Sequence, residues 1–147
     1  MKFYVASSLG NWKQVSEVSG RLEQAGWTNI NNWAKLGLVS NLNSTSLELD
    51  KISLGQMQAI LDSDVIIVLT PMGRGTHAEL GAAVILCVQG LPKKVYLYDQ
   101  TSELFQVDKK TAGIYHNNFV IKKHGDINNV VNDIIKENSN SLGEKRI

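Results

Sequence analysis

Apolar and polar positions alternate along this chain in two periods, and the switches between them outline its elements. Lys2 to Ser8 reads as a first strand that ends in small residues. Val15, Val18, Leu22 and Ala25 then recur at helical spacing, with Asn11 placed to cap the run and Gly26 to stop it. Trp27 to Trp33 is a shorter, more polar strand expected near a sheet edge. Residues 35–43 carry turn residues and are long for a connection, which suggests a lid or pocket wall. A second helix is predicted over Leu47 to Asp62, with Leu54, Met57, Ile60 and Leu61 inward. Val65 to Leu69 is uninterrupted apolar and β-branched, as a central parallel strand covered on both faces should be.

After that strand the spacing predicts a glycine turn and a helix from Thr76 to Gln89. That helix is apolar almost all round and ends at Gly90 and Pro92. Lys94 to Asp99 and Phe119 to Lys122 complete the strands, with a polar, turn-rich stretch between them. Ile127, Val130, Val131, Ile134 and Ile135 mark a closing amphipathic helix, placing the domain at 1–137 and a frayed polar tail at 138–147. Strands alternating with helices imply an α/β fold: a doubly wound parallel sheet of about five strands with helices on both faces. Right-handed crossovers gather the C-terminal strand ends along one edge, where Ser7, Ser8, Trp33, the Gly73–Glu79 turn and Asp99 should meet.

Composition narrows the function class. The chain has 147 residues, 43% of them hydrophobic, enough for one core. With 15 basic and 14 acidic residues its net charge is +1, which lacks the basic footprint of a nucleic-acid binder. No apolar run reaches the length of a membrane span, and the start of the chain reads as a strand rather than a signal peptide. A single cysteine, Cys87, lies in an apolar run and fits a reducing, cytoplasmic setting. Three histidines and one cysteine at wide spacing form no metal signature, and no cofactor is expected.

The chemistry concentrates in Gly73-Arg-Gly-Thr-His-Ala-Glu79. Two readings of these residues stand side by side. In one, Thr76 and Glu79 form a capping box and Glu79 merely folds back onto the helix start. In the other, Glu79 is a functional carboxylate at the mouth of a strand-turn-helix unit, ionised with help from the helix dipole. Gly73 and Gly75 let the backbone approach a ligand, and free N–H groups near Gly75 and Thr76 suit an anion. Arg74 is either a phosphate ligand or a solvated turn residue. His77 is of the residue type best suited to proton transfer near neutrality, although its spacing from Glu79 puts the two on different helix faces. Trp33 either stacks on a base or packs at the edge of the core.

Phe3-Tyr-Val-Ala-Ser-Ser-Leu9, Asp64-Val-Ile-Ile-Val-Leu69 and Gly73-Arg-Gly-Thr-His-Ala-Glu-Leu-Gly81 together resemble the nucleoside 2-deoxyribosyltransferase family, which includes deoxynucleoside monophosphate N-glycosidases. The resemblance spans about residues 2–122 and implies a flavodoxin-like sheet, a homodimer or higher homo-oligomer, and a small-molecule nucleoside or nucleotide as substrate. It implies that Glu79 attacks the anomeric carbon and that Tyr4 lies near sugar and base. Ser7 and Ser8 correspond to the loop lining the pocket, and Gly73 and Gly75 to a phosphate cradle. Asn118 matches an asparagine that reaches across the dimer interface. Two features depart from the family pattern: Gln56 stands where an aspartate is common, and the turn carries Met72, Gly73 and Arg74 instead of acidic residues. Protonation of the departing base is left without an obvious donor, and the expected activity is N-glycosidic bond cleavage or transfer through a Glu79 nucleophile. A binding module that senses a nucleotide in the same crevice is the rival reading, favoured by Gln56.

Overall fold

The computed structural model describes residues 1–35 and 45–144. Five parallel strands, β1 (Lys2–Ala6), β2 (Thr28–Asn29), β3 (Val65–Leu69), β4 (Lys94–Tyr98) and β5 (Val120–Lys123), lie in the order β2-β1-β3-β4-β5. This is the flavodoxin-like doubly wound order, with its switch point between β1 and β3. Helices α1 (Trp12–Gln24) and α4 (Ile127–Glu144) pack together on one face, and α2 (Ser46–Asp62) and α3 (Arg74–Val88) on the other. The expected fold class is the one observed.

The register fixes which side chains face which helices. Tyr4 pairs with Ile66, Ile66 with Val95, and Ile67 with Tyr96, so Tyr4 and Tyr96 lie on opposite faces of the sheet. Tyr4 accordingly meets α3, while the Tyr96 hydroxyl donates to Glu137 of α4 at 2.8 Å. All five residues of β3 are buried, as its unbroken apolar run requires.

Several local expectations are corrected. The second strand shrinks to Thr28–Asn29, because Asn side chains compete for the backbone beyond it. Asn29 accepts from the Asn31 N–H at 3.2 Å, and Asn32 from the Lys35 N–H at 3.4 Å. On α2, Ile60 and Ala59 are buried, but Leu54 and Leu61 are 62% and 46% exposed. They share a stripe with Leu47 at seven-residue spacing, turned away from the stripe that meets the sheet. Nor is α3 enclosed all round, since Ile85 and Val88 stand exposed. Asn11 precedes α1, yet its side chain makes no capping bond and donates instead to Ser7 Oγ at 2.9 Å and the Thr70 carbonyl at 3.3 Å.

The expected boundary at Glu137 falls inside α4, which continues to Glu144. Asn138 is buried and donates to Tyr96 Oη at 3.1 Å and the Ile134 carbonyl at 2.8 Å. The lid or pocket wall anticipated for residues 35–43 lies, apart from Lys35, outside the described residues. Among the described residues no helix is long and apolar enough to cross a membrane.

Candidate active site

A cavity of about 430 Å³ opens beyond the C-terminal end of β1, between α2 and the first turns of α3. Strand β1 contributes Tyr4, and the chain leaving it contributes Ser7 and Ser8. Ser7 is held firmly: its hydroxyl lies 2.9 Å from the Leu69 carbonyl and 3.1 Å from that of Pro71. The Ser8 N–H also donates to the Pro71 carbonyl at 3.0 Å. These bonds lock the end of β1 to the turn after β3. Trp33 closes one side, buried and anchored by its indole N–H to the Val5 carbonyl at 2.8 Å.

The opposite wall comes from α2. Leu49, Ile52, Ser53 and Gln56 recur at spacings of three and four, so one helical stripe lines the cavity before continuing into the core as Ala59 and Ile60. Sequence reasoning missed the first three of these. The signal was available in that spacing, but the exposed Leu47-Leu54-Leu61 stripe competed with it.

The turn after β3 forms the floor. Gly73, not Thr76, is the N-cap of α3, and Thr76 sits on the third helical position with its hydroxyl accepting the Gly73 N–H at 3.1 Å. The N–H groups of Arg74, Gly75 and Thr76 precede the first intrahelical bond, from His77 N–H to the Gly73 carbonyl. They are therefore the free donors of a helix start. Gly73, Arg74, Gly75 and Thr76 all line the cavity, with Arg74 exposed.

Shifting the helix start forward carries Glu79 into the second turn. The expected Thr76–Glu79 capping box does not form. Glu79 is 6% exposed and lines the cavity, accepting the Tyr4 hydroxyl at 2.9 Å. Burial pushes its pKa from 4.5 up to about 7, against the lowering effect of the Tyr4 bond. Burial thus works against the ionised form that the helix dipole was expected to favour. Glu79 lies beyond the first turn, where that field fades, and loss of hydration dominates. Burial and the neighbouring Glu79 charge likewise hold the Tyr4 phenol well above its ordinary range.

Three expected site residues lie elsewhere. His77 lines a second cavity of about 580 Å³ on the far side of the same turn. Its Nδ1 is 2.9 Å from the Gly73 carbonyl and its Nε2 2.6 Å from the Tyr115 hydroxyl. Neutral His77 satisfies both by donating from Nδ1 and accepting at Nε2. Helix geometry separates it from Glu79 as its two-residue spacing requires. Asp99 borders that second cavity too, accepting the Thr70 hydroxyl at 3.0 Å and the Leu104 N–H at 2.9 Å. Asn118 is exposed just ahead of β5 and lines neither cavity. Among the described residues no cluster of three or more His, Cys, Asp or Glu is arranged to hold a metal ion.

The fold is similar to that of the Clostridium botulinum CMP N-glycosidase BcmB, with a TM-score of 0.57 and 18% sequence identity over 95% of this chain and 98% of that one. That likeness shows a common fold. No family model matches the sequence, and no curated protein matches it either.

Proposed function

We propose that this protein cleaves the N-glycosidic bond of a nucleotide, with Glu79 as the nucleophile. The observation that carries the reading is the orientation of that carboxylate: it is buried in the cavity wall and held by Tyr4, not spent on its own helix end. Breaking a sugar C–N bond builds positive charge at the anomeric carbon, and a carboxylate beside it stabilises or traps that centre, as in retaining glycosidases. A cavity of about 430 Å³ falls in the range of small-molecule sites. The free N–H groups at the start of α3, joined by Arg74, suit a phosphate. Trp33 and Ile52 offer apolar surface for a base. The shared fold with a CMP N-glycosidase agrees with this chemistry.

A nucleotide sensor using the same cavity is the second reading. Gln56 favours it, because an amide in the wall supplies no proton to a departing base. The two readings separate when nucleosides, nucleoside monophosphates and NAD are incubated with the protein, with and without a second free base. Base release identifies a hydrolase and base exchange a transferase. Tight binding without product, unchanged by Glu79→Gln, identifies the sensor.

The reading extends to a homodimer in which Asn118 approaches the partner's cavity. Exposed Leu47, Leu54 and Leu61 on α2, with Ile85 and Val88 on α3, give it apolar surface to bury. Light scattering on the purified chain tests the mass, with a monomer at all concentrations counting against it.

A further inference from the structure

Among the described residues the wall around Glu79 contains no second group able to hand a proton to a departing base. Its titratable side chains are Tyr4, Arg74 and Glu79 itself. Tyr4 already donates to Glu79, and burial makes its phenol a far weaker acid than usual. Arg74 does not deprotonate in proteins. On α2 the cavity-facing position that follows Ser53 is the amide Gln56. Both ring nitrogens of His77 are engaged, and His77 lines the second cavity, not this one. Residues 36–44, which follow Trp33 and Lys35, are only Leu, Gly, Val, Ser and Asn.

A neutral base must be protonated as it leaves, and a positioned acid contributes roughly 10²–10⁴-fold to such steps. A base that is already cationic needs none. Resting on the reading that Glu79 opens the C1′–N bond, we infer that the preferred substrate is a nucleotide whose base carries a positive charge, of the pyridinium or N7-alkylpurinium class. A Glu79 carboxylate oxygen bonds to C1′ while the C–N electron pair moves onto the ring nitrogen and cancels its charge. Water then bonds to C1′, the ester electron pair returns to Glu79, and the proton of that water passes to solvent. One proton is released per bond cleaved.

The surroundings suit such a base. Among the described residues Glu79 is the one anionic side chain in the wall, and Trp33 presents an aromatic ring that attracts cations. A cation seated beside Glu79 also favours its ionised form, offsetting the burial that otherwise holds it near pH 7.

The test pairs substrates of like shape and different charge: nicotinamide mononucleotide against CMP, and N7-methyl-GMP against GMP. Base release is followed by chromatography and proton release with a pH indicator. The expected result is a kcat/KM at least a hundredfold higher for each cationic member, with one proton per base. Gln56→Glu, which supplies an acid, narrows each gap at least tenfold by raising the neutral substrates. Comparable kcat/KM within both wild-type pairs, or preference for the neutral members, overturns this inference and leaves the Glu79 reading standing. No base release from any of the four overturns both.

Discussion

The hydroxyl of Thr76 accepts the N–H of Gly73 at 3.1 Å, and this bond ties off the start of α3. Glu79 is thereby spared the task. One helical turn further on, it meets Tyr4 from the neighbouring strand and becomes a buried acid in a cavity wall. The two readings that competed for Glu79 in the sequence are separated in space: Thr76 takes the helix start, and Glu79, three positions on, lines the cavity.

Glu79→Gln should abolish base release, by at least about 10³-fold, while the fold persists. It should also stabilise the protein in a pH-dependent way. The folded-state pKa of about 7 exceeds the ordinary 4.5, so the stabilising contribution of the protonated acid is complete below about pH 4.5 and lost as pH rises through 7. Denaturant unfolding should find the variant equal to wild type at pH 4 and more stable by about 3 kcal/mol at pH 8. Equal stability at both pH values would show that burial costs the carboxylate little.

The free-enzyme kcat/KM should climb with pH through about 7, since the nucleophile must be ionised. Tyr4→Phe removes a hydrogen bond that lowers this pKa. The midpoint should move upward by about one pH unit, with roughly fivefold less activity at pH 7 and much of it regained at pH 9. A uniform loss at every pH would mean that Tyr4 supports the fold and does not tune the acid.

His77→Ala tests the relocation of that histidine. Base release should stay within about threefold of wild type. Stability should fall by about 1–2 kcal/mol as the contacts with the Gly73 carbonyl and the Tyr115 hydroxyl are lost. A hundredfold loss of turnover with an unchanged melting temperature would return His77 to the catalytic machinery.

Ser19 is buried in α1, and among the described residues its hydroxyl is the side-chain polar atom left without a partner. Ser19→Ala removes that cost and improves helix propensity, so the midpoint in urea should rise by the equivalent of about 1 kcal/mol. No gain would indicate that water reaches the hydroxyl.

The elements with one dominant signal were legible in the sequence. The unbroken Val65–Leu69 run gave a central strand, and Val15, Val18 and Leu22 gave the buried face of α1. Glu79 and the glycine turn were legible as one strand-turn-helix cluster, and the structure places both along one cavity. What failed depended on long-range partners. The direction of Glu79 is decided by Tyr4, 75 positions away, and its protonation by burial that no local pattern encodes. On α2 two apolar stripes compete, and only the sheet decides which is inward. The short β2 was misread because its Asn side chains bond locally in ways that hydrophobic spacing does not register.

The last turns of α4 look dispensable by composition, a run of Asn, Ser and Gly that invites trimming when an expression boundary is chosen. Cutting after Glu137 would remove the amide of Asn138 from the phenol of Tyr96 and leave a mid-sheet strand with an unfilled polar notch. The damage would surface some forty positions upstream of the cut, in a strand bordering the one that delivers the glycine turn. The polar ending is a structural fastener, and a shortened protein that loses activity would say nothing about the catalytic groups themselves.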